Sequence, residues 1–134
     1  MMASELRVVL GRLVRRLRAR GGFPLGHAAV LGRLDREGAQ SVSDLATSEG
    51  VRPQSMAQTV GDLESAELVS RRPDPDDGRR ALVELTGQGR STLLEDRRRR
   101  VGWLATAIAS DLTPEERDVL REALPLLERL AEHE

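Results

Sequence analysis

Cysteine is absent from the 134 residues, which excludes disulfides, thiolate catalysis, cysteine redox sensing and Cys-ligated zinc. Lysine is absent as well, so all 21 cations are arginine. Base composition of the coding DNA explains an Ala/Arg/Leu-rich, Lys-free chain as readily as phosphate recognition does. Aromatics amount to 1%, leaving Phe23 and Trp103 as the only large rings. No apolar run approaches the roughly 20 residues of a membrane span, and the N-terminus lacks the apolar segment of a signal peptide. A cytoplasmic protein away from membranes is expected. With only His27 and His133 available, no spacing couples a histidine base to a nucleophile and a carboxylate. Neither a phosphate-binding glycine loop nor a metal-ligand cluster occurs. An enzyme is therefore the weakest reading, with no cofactor and no metal expected.

What is present is charge: 32% of residues are charged against 39% hydrophobic, with a net charge of −1. The core must be thin, and in a helix-rich chain a second copy often completes burial. Near-neutral net charge does not announce nucleic acid, but local charge acts within a Debye length of about 8 Å.

Apolar periodicity predicts a helix over residues 4–20, with Leu6, Val9, Leu10, Leu13 and Leu17 on one side. It carries arginine on its other faces but no ring to anchor it at a membrane surface, so packing is the better reading. Gly21-Gly22 ends it. A second helix from Pro24 to Glu37 points Leu25, Ala28, Ala29, Leu31 and Leu34 inward and carries His27. Gln40 to Val42 is long enough only for a bridging strand. Ser43 is placed as the N-cap of a short helix to Ser48, and Gly50 supplies the turn. Pro53 opens a further helix to about Ala66. Met56, Val60 and Leu63 share its inner face, while Gln54, Ser55, Gln58, Gly61, Asp62 and Ser65 lie opposite. Short and amide-bearing side chains on an exposed face suit groove insertion and base-edge hydrogen bonding.

Leu68–Arg72 and Ala81–Leu85 read as two strands around Pro73-Asp74-Pro75-Asp76-Asp77-Gly78-Arg79-Arg80, an unpaired tip too long for a tight hairpin. Arg71, Arg72, Arg79 and Arg80 flank it and point to contact with an anionic partner. Thr86 is the expected cap of a long helix from Gly87 to about Ser110, with Leu94, Val101, Leu104, Ala105, Ile108 and Leu112 as its stripe. The run Arg97 to Arg100 faces four directions. Glu95 and Asp96 precede Arg99 and Arg100 by four residues, so a solvated, self-paired face is expected. Thr113-Pro114-Glu115-Glu116 is a capping box opening the last helix, in whose interior Pro125 removes one hydrogen bond. The first and last two helices carry more leucine than one small domain covers, and a dimer interface is expected there.

With this order in place, Ser43 to Gly89 resembles the MarR family of winged helix-turn-helix regulators. The resemblance is carried by Ser43-Asp44-Leu45-Ala46, Val51 to Ser55, Leu63-Glu64, Leu68-Val69 and Arg71 to Pro75. The hairpin's return adds Asp77-Gly78-Arg79 and Leu85-Thr86-x-x-Gly89. It implies a mainly α fold with a small β-hairpin wing. Residues 24–86 would form the DNA-binding lobe, and residues 1–23 and 87–134 the dimerisation helices. It implies a homodimer on a pseudo-palindromic double-stranded DNA operator, acting as a repressor and released by a small-molecule effector. The groove helix would contribute Arg52, Gln54, Ser55, Gln58, Thr59 and Asp62. The wing would contribute Arg71, Arg72, Asp77, Arg79 and Arg80, with Arg79 in the minor groove. By position, Phe23, His27 and Trp103 would line an effector pocket. Arg52 departs from the Ser or Thr common there, and Gln58 and Asp62 replace residues that are often basic. Glu67 stands for the usual glycine, at a cost of about 1 kcal/mol if left-handed. A winged-helix module that binds protein rather than DNA is the alternative.

Overall fold

A computed structural model describes the backbone of residues 1–134 and every side chain except that of Leu25. The inward position expected for Leu25 thus lies outside the described residues. The chain forms two compact units, Met1–Arg100 and Val101–Glu134.

In the first unit the order is α1 (Met2–Arg20), α2 (Leu25–Glu37), α3 (Val42–Glu49), α4 (Pro53–Ser65), β1 (Val69–Pro73) and β2 (Ala81–Leu85), followed by the start of α5 (Gly87–Asp111). The core gathers Val30, Leu31 and Leu34 of α2, Leu45 and Ala46 of α3, and Met56, Val60 and Leu63 of α4. Leu68, Val69, Val83 and Leu93 close it. Burying one such side chain stabilises the fold by roughly 1.5–3 kcal/mol, enough to fix the phase of each helix. The α2 stripe is rotated from expectation: Val30 is buried and Ala29 exposed. The three inner residues of α4 are as the helical spacing predicts.

Ser41, not Ser43, caps α3. Its backbone is extended and its Oγ accepts from the Asp44 N–H at 3.1 Å. Ser43 lies in the first turn of α3, its carbonyl accepting from Thr47 Oγ1. The bridging strand exists as Gln40 paired with Val83, which brings the start of α3 against the wing. Gly50 takes the left-handed conformation, φ 65°, that turns the chain into α4.

Glu67 is left-handed too, φ 63°. Its carbonyl accepts from Thr86 Oγ1 at 2.8 Å, and Thr86 Oγ1 in turn accepts from the Gly89 N–H at 2.9 Å, capping α5. A side chain on Gly89 would overlap the Leu68 carbonyl, so glycine is required there for close approach.

Within α5 the buried apolar residue is Leu93, at 2% exposure, and not Leu94, at 44%. Nor is the arginine run uniformly solvated. Glu95–Arg99 is an exposed pair at 2.9 Å. Asp96 is buried, accepts from the Gly22 N–H at 2.7 Å and lies 3.3 Å from Arg100. Arg100 Nη2 donates to the Phe23 carbonyl at 2.7 Å. The Gly21-Gly22 pair does more than end α1, because a Cβ on Gly21 would collide with the Arg100 guanidinium.

The second unit contains the end of α5 and α6 (Pro114–Ala131). Thr113 and Glu116 form the reciprocal capping box, and Arg117 donates to the Ala109 carbonyl at 2.9 Å. The helix continues through Pro125 to Ala131. Neither α1 nor α6 has a buried residue.

Candidate nucleic-acid interface

Packing of Met56, Val60 and Leu63 inward turns the opposite face of α4 to solvent. Arg52, Gln54, Ser55, Gln58 and Asp62 are exposed and Thr59 is half-buried. Arg52 precedes the helix with extended backbone and no side-chain cap, so the first turn of α4 keeps free backbone donors beside a cation. That end of the helix favours anions.

The face is less open than its composition implies. Gln58 Nε2 donates to Asp62 Oδ1 at 3.0 Å, and the other carboxylate oxygen lies 3.5 Å from Nε2 of His27 on α2. Asp62 thus accepts from one neighbour and lies beside a second. The sequence offered no sign of the contact to His27, which crosses between helices.

β1 and β2 pair antiparallel from Val69 with Leu85 to Pro73 with Ala81. The unpaired tip is therefore shorter than the eight residues expected, since Pro73 is still in register. Beyond it the Asp74 N–H donates to the Arg80 carbonyl and the Arg80 N–H to the Asp77 carbonyl, both at 3.0 Å. Asp74, not among the candidate residues, organises this tip. It is 8% exposed. Its carboxylate accepts from the Asp76 N–H at 2.9 Å and from Arg80 Nε at 3.3 Å. The bond from the Asp76 backbone N–H, supported by Asp77 and Arg80, holds this carboxyl below the usual aspartate range. An Asp followed by Pro in a turn is the only trace of this role in the sequence.

Every arginine of the wing has a carboxylate neighbour: Arg71 with Glu64 at 3.3 Å, Arg72 with Glu84 at 3.0 Å, and Arg79 with Asp77 at 3.3 Å. Arg80 reaches both Asp74 and, at 3.6 Å, Asp44 of α3. Exposed pairs of this kind are worth about 0–1 kcal/mol, so a phosphate can replace the carboxylate at small cost. Arg79 is the outermost, with its side chain 93% exposed. Asp77 accepts from both its backbone N–H and its Nε, and so aims it. Arg71, Arg72, Arg79 and Arg80 together line a shallow concavity of about 340 Å³.

Of the suggested effector residues, Phe23 packs against the core of the first unit. His27 faces Asp62, and Trp103 is a half-buried residue of the second unit. Among the described residues, no helix is long and apolar enough to cross a membrane.

A helix-turn-helix with an exposed polar second helix and an arginine-tipped hairpin beside it defines a winged helix-turn-helix protein. The MarR family model matches residues 23–81. Across 129 residues the chain is 38% identical to a helix-turn-helix-type transcriptional regulator of Mycobacterium tuberculosis, covering 94% of this chain and 90% of the relative. A regulator of the same description from Mycobacterium leprae is 36% identical over the same span. The crystal structure of a candidate transcriptional regulator from Pseudomonas aeruginosa superposes with a TM-score of 0.88 at 36% identity, covering 99% of this chain and 95% of that one. Apo MarR of Escherichia coli gives 0.81 at 19% identity over 95% and 96% of the two chains, a likeness of fold. The chain belongs to the MarR family of helix-turn-helix-type transcriptional regulators, which are DNA-binding proteins and not enzymes.

Proposed function

We propose that the protein is a homodimeric repressor that binds a pseudo-palindromic operator, with α4 of each protomer in a major groove and Arg79 of each wing in the flanking minor groove. The observation that carries this reading is Arg79: an almost fully exposed cation, fixed at its base by Asp77, on the hairpin that follows α4. Minor grooves narrowed by A·T-rich sequence attract arginine. Arg52, Gln54, Ser55, Gln58 and Thr59 are the groove contacts in this reading, with Arg71 and Arg72 on the phosphates.

The dimer is supported by uncovered apolar faces. On α1, Val9, Leu10 and Leu13 are exposed, and on α6, Val119, Leu124 and Leu130. Exposed leucine and valine at helical spacing on two helices without a buried residue gain by association with a second copy. Two-fold symmetry then places half-sites about one helical turn, roughly 34 Å, apart. Release by a small-molecule effector completes the reading and rests on the family resemblance.

The test is selection of double-stranded fragments of the source genome on the full-length protein, footprinting of the selected site, and sedimentation of the complex. The expected result is a symmetric footprint and a mass of two chains. Arg79→Ala should weaken binding and flatten the slope of log affinity against log salt by about 1. An unchanged slope removes Arg79 from the interface. Failure to capture any fragment at low salt favours a winged-helix module for protein partners, a reading that the near-neutral net charge of −1 also accommodates.

A further inference from the structure

We propose that His27 is a positioning residue for base recognition, holding Asp62 so that Asp62 in turn fixes the Gln58 amide and biases it toward adenine over guanine. This rests on the reading of α4 as the groove helix.

The chain of contacts is short. His27 stands on α2, a helix anchored by Val30, Leu31 and Leu34 in the core. Its Nε2 is 3.5 Å from Asp62 Oδ2, and its side chain is 22% exposed, so it reaches α4 from a partly enclosed position. Asp62 Oδ1 accepts from Gln58 Nε2 at 3.0 Å, one turn back along α4. A carboxylate free on a groove-facing helix would repel phosphate. This one has Oδ1 accepting from Gln58 and Oδ2 within 3.5 Å of the His27 ring, both from its own fold.

The consequence lies in the inventory of the Gln58 amide. A free amide offers two N–H donors and one carbonyl acceptor. Asp62 takes one donor and thereby fixes which end of the amide points away. One N–H and the carbonyl oxygen remain. Adenine presents one acceptor and one donor in the major groove, N7 and N6–H, and matches that pair. Guanine presents two acceptors, N7 and O6. With one N–H already committed, the amide cannot satisfy both, and its carbonyl oxygen faces an acceptor. Asp62 is then a selector against guanine at this position, and His27 is what keeps Asp62 from turning outward to a base or phosphate itself.

The experiment uses the full-length protein and genomic fragments selected on the wild type, with single base-pair replacements across the footprint. Wild type is compared with His27→Leu, His27→Gln and Asp62→Ala. His27→Leu should reduce discrimination of adenine from guanine at one base pair of each half-site by about tenfold, within the range of one bidentate amide–base pair, and leave other positions unchanged. His27→Gln, whose amide N–H can still reach Asp62, should retain the preference. Asp62→Ala, which leaves Gln58 no acceptor there, should lose the preference although removal of a negative charge favours binding to any DNA. Equal loss of affinity at every position in His27→Leu, or failure of His27→Gln to retain the preference, overturns the proposal. So does an unchanged preference in either His27→Leu or Asp62→Ala. A wild type that captures no DNA overturns this proposal and the DNA-binding reading together. Capture with a preference that ignores His27 overturns this one alone.

Discussion

Arg80 of the wing lies 3.6 Å from Asp44 of α3, so a single guanidinium links the hairpin to the first helix of the helix-turn-helix. The same side chain reaches Asp74 at 3.3 Å. Arg80 is therefore a tie between wing and helix as well as a cation near the proposed interface. The two roles predict opposite signs at its partner. If Asp44 were only a negative charge near DNA, Asp44→Asn would tighten binding. With Arg80 holding the wing through it, Asp44→Asn should weaken binding by about threefold, in keeping with an exposed pair worth up to about 1 kcal/mol. Anisotropy titration of a selected fragment at fixed salt reads the sign directly, and tighter binding would reduce Arg80–Asp44 to a chance proximity.

Glu67 occupies the left-handed region, φ 63°, at the junction of α4 and β1. Its side chain has no hydrogen bond or ion pair among the described contacts, while its backbone carbonyl anchors Thr86. Left-handed backbone costs a non-glycine residue about 1–2 kcal/mol. Glu67→Gly keeps the carbonyl in place and relieves that cost, offset in part by the greater freedom of glycine in the unfolded chain. A net gain of about 0.5–1 kcal/mol is expected, seen as a melting temperature raised by roughly 2–4 °C. A lower melting temperature would mean that the Glu67 side chain contributes more than its surroundings indicate.

Much of this fold is written locally. Met56, Val60 and Leu63 have helical spacing, and Thr113 to Glu116 carries both halves of its capping box, so both were legible without neighbours. The MarR resemblance likewise rested on short contiguous runs, in the helix-turn-helix as well as in the wing. What the sequence hid depends on phase and register across elements. Ser41 and Ser43 are equally good caps by type, and the Gln40–Val83 bridge decides for Ser41 by fixing extended backbone just before α3. Three aspartates, Asp74, Asp76 and Asp77, stand between Arg72 and Gly78 and read with their prolines as one polar tip, yet only Asp74 turns inward once Pro73 pairs with Ala81. His27 and Asp62 are 35 positions apart and meet only because α2 and α4 pack on one core.

The inward turn of Asp74 makes stability depend on pH with a definite sign. Its folded pKa is depressed, chiefly by the Asp76 N–H. Glu116 is depressed by the Thr113 N–H, and Glu37 by Gln40 and Arg33. A depressed folded pKa contributes stability that is present above the unfolded value, about 3.9 for Asp and 4.3 for Glu. It is lost as pH falls through the folded value. Stability should therefore be flat near neutrality and fall below about pH 4.5. Asp74→Asn should be less stable than wild type at pH 7 and lose less on acidification, so the two melting curves converge toward low pH. Parallel curves from pH 7 to pH 3 would show that this carboxylate gains nothing from the wing.

Adjacent ion pairs of identical spacing on α5 offer a test of how burial changes the worth of a charge. Glu95–Arg99 and Asp96–Arg100 are both i,i+4 pairs with the acid first, but the former is exposed and the latter has side-chain exposures of 3% and 11%. In water the pair's attraction is small and screened, so Glu95→Ala should cost no more than about 0.5 kcal/mol. Asp96→Ala strands the Arg100 guanidinium, whose Nε then faces no carboxylate, and removes the acceptor of the Gly22 N–H. Breaking a buried pair by deleting one partner costs on the order of 3–5 kcal/mol. The bond from Arg100 to the Phe23 carbonyl survives in that variant and moderates the loss toward the lower figure. Denaturant titration of the two variants should thus separate them by about 3 kcal/mol despite one residue's difference in position. A small loss in both would mean that water reaches Arg100 and that the turn between α1 and α2 is held by Phe23 and the Gly21-Gly22 backbone without the charge.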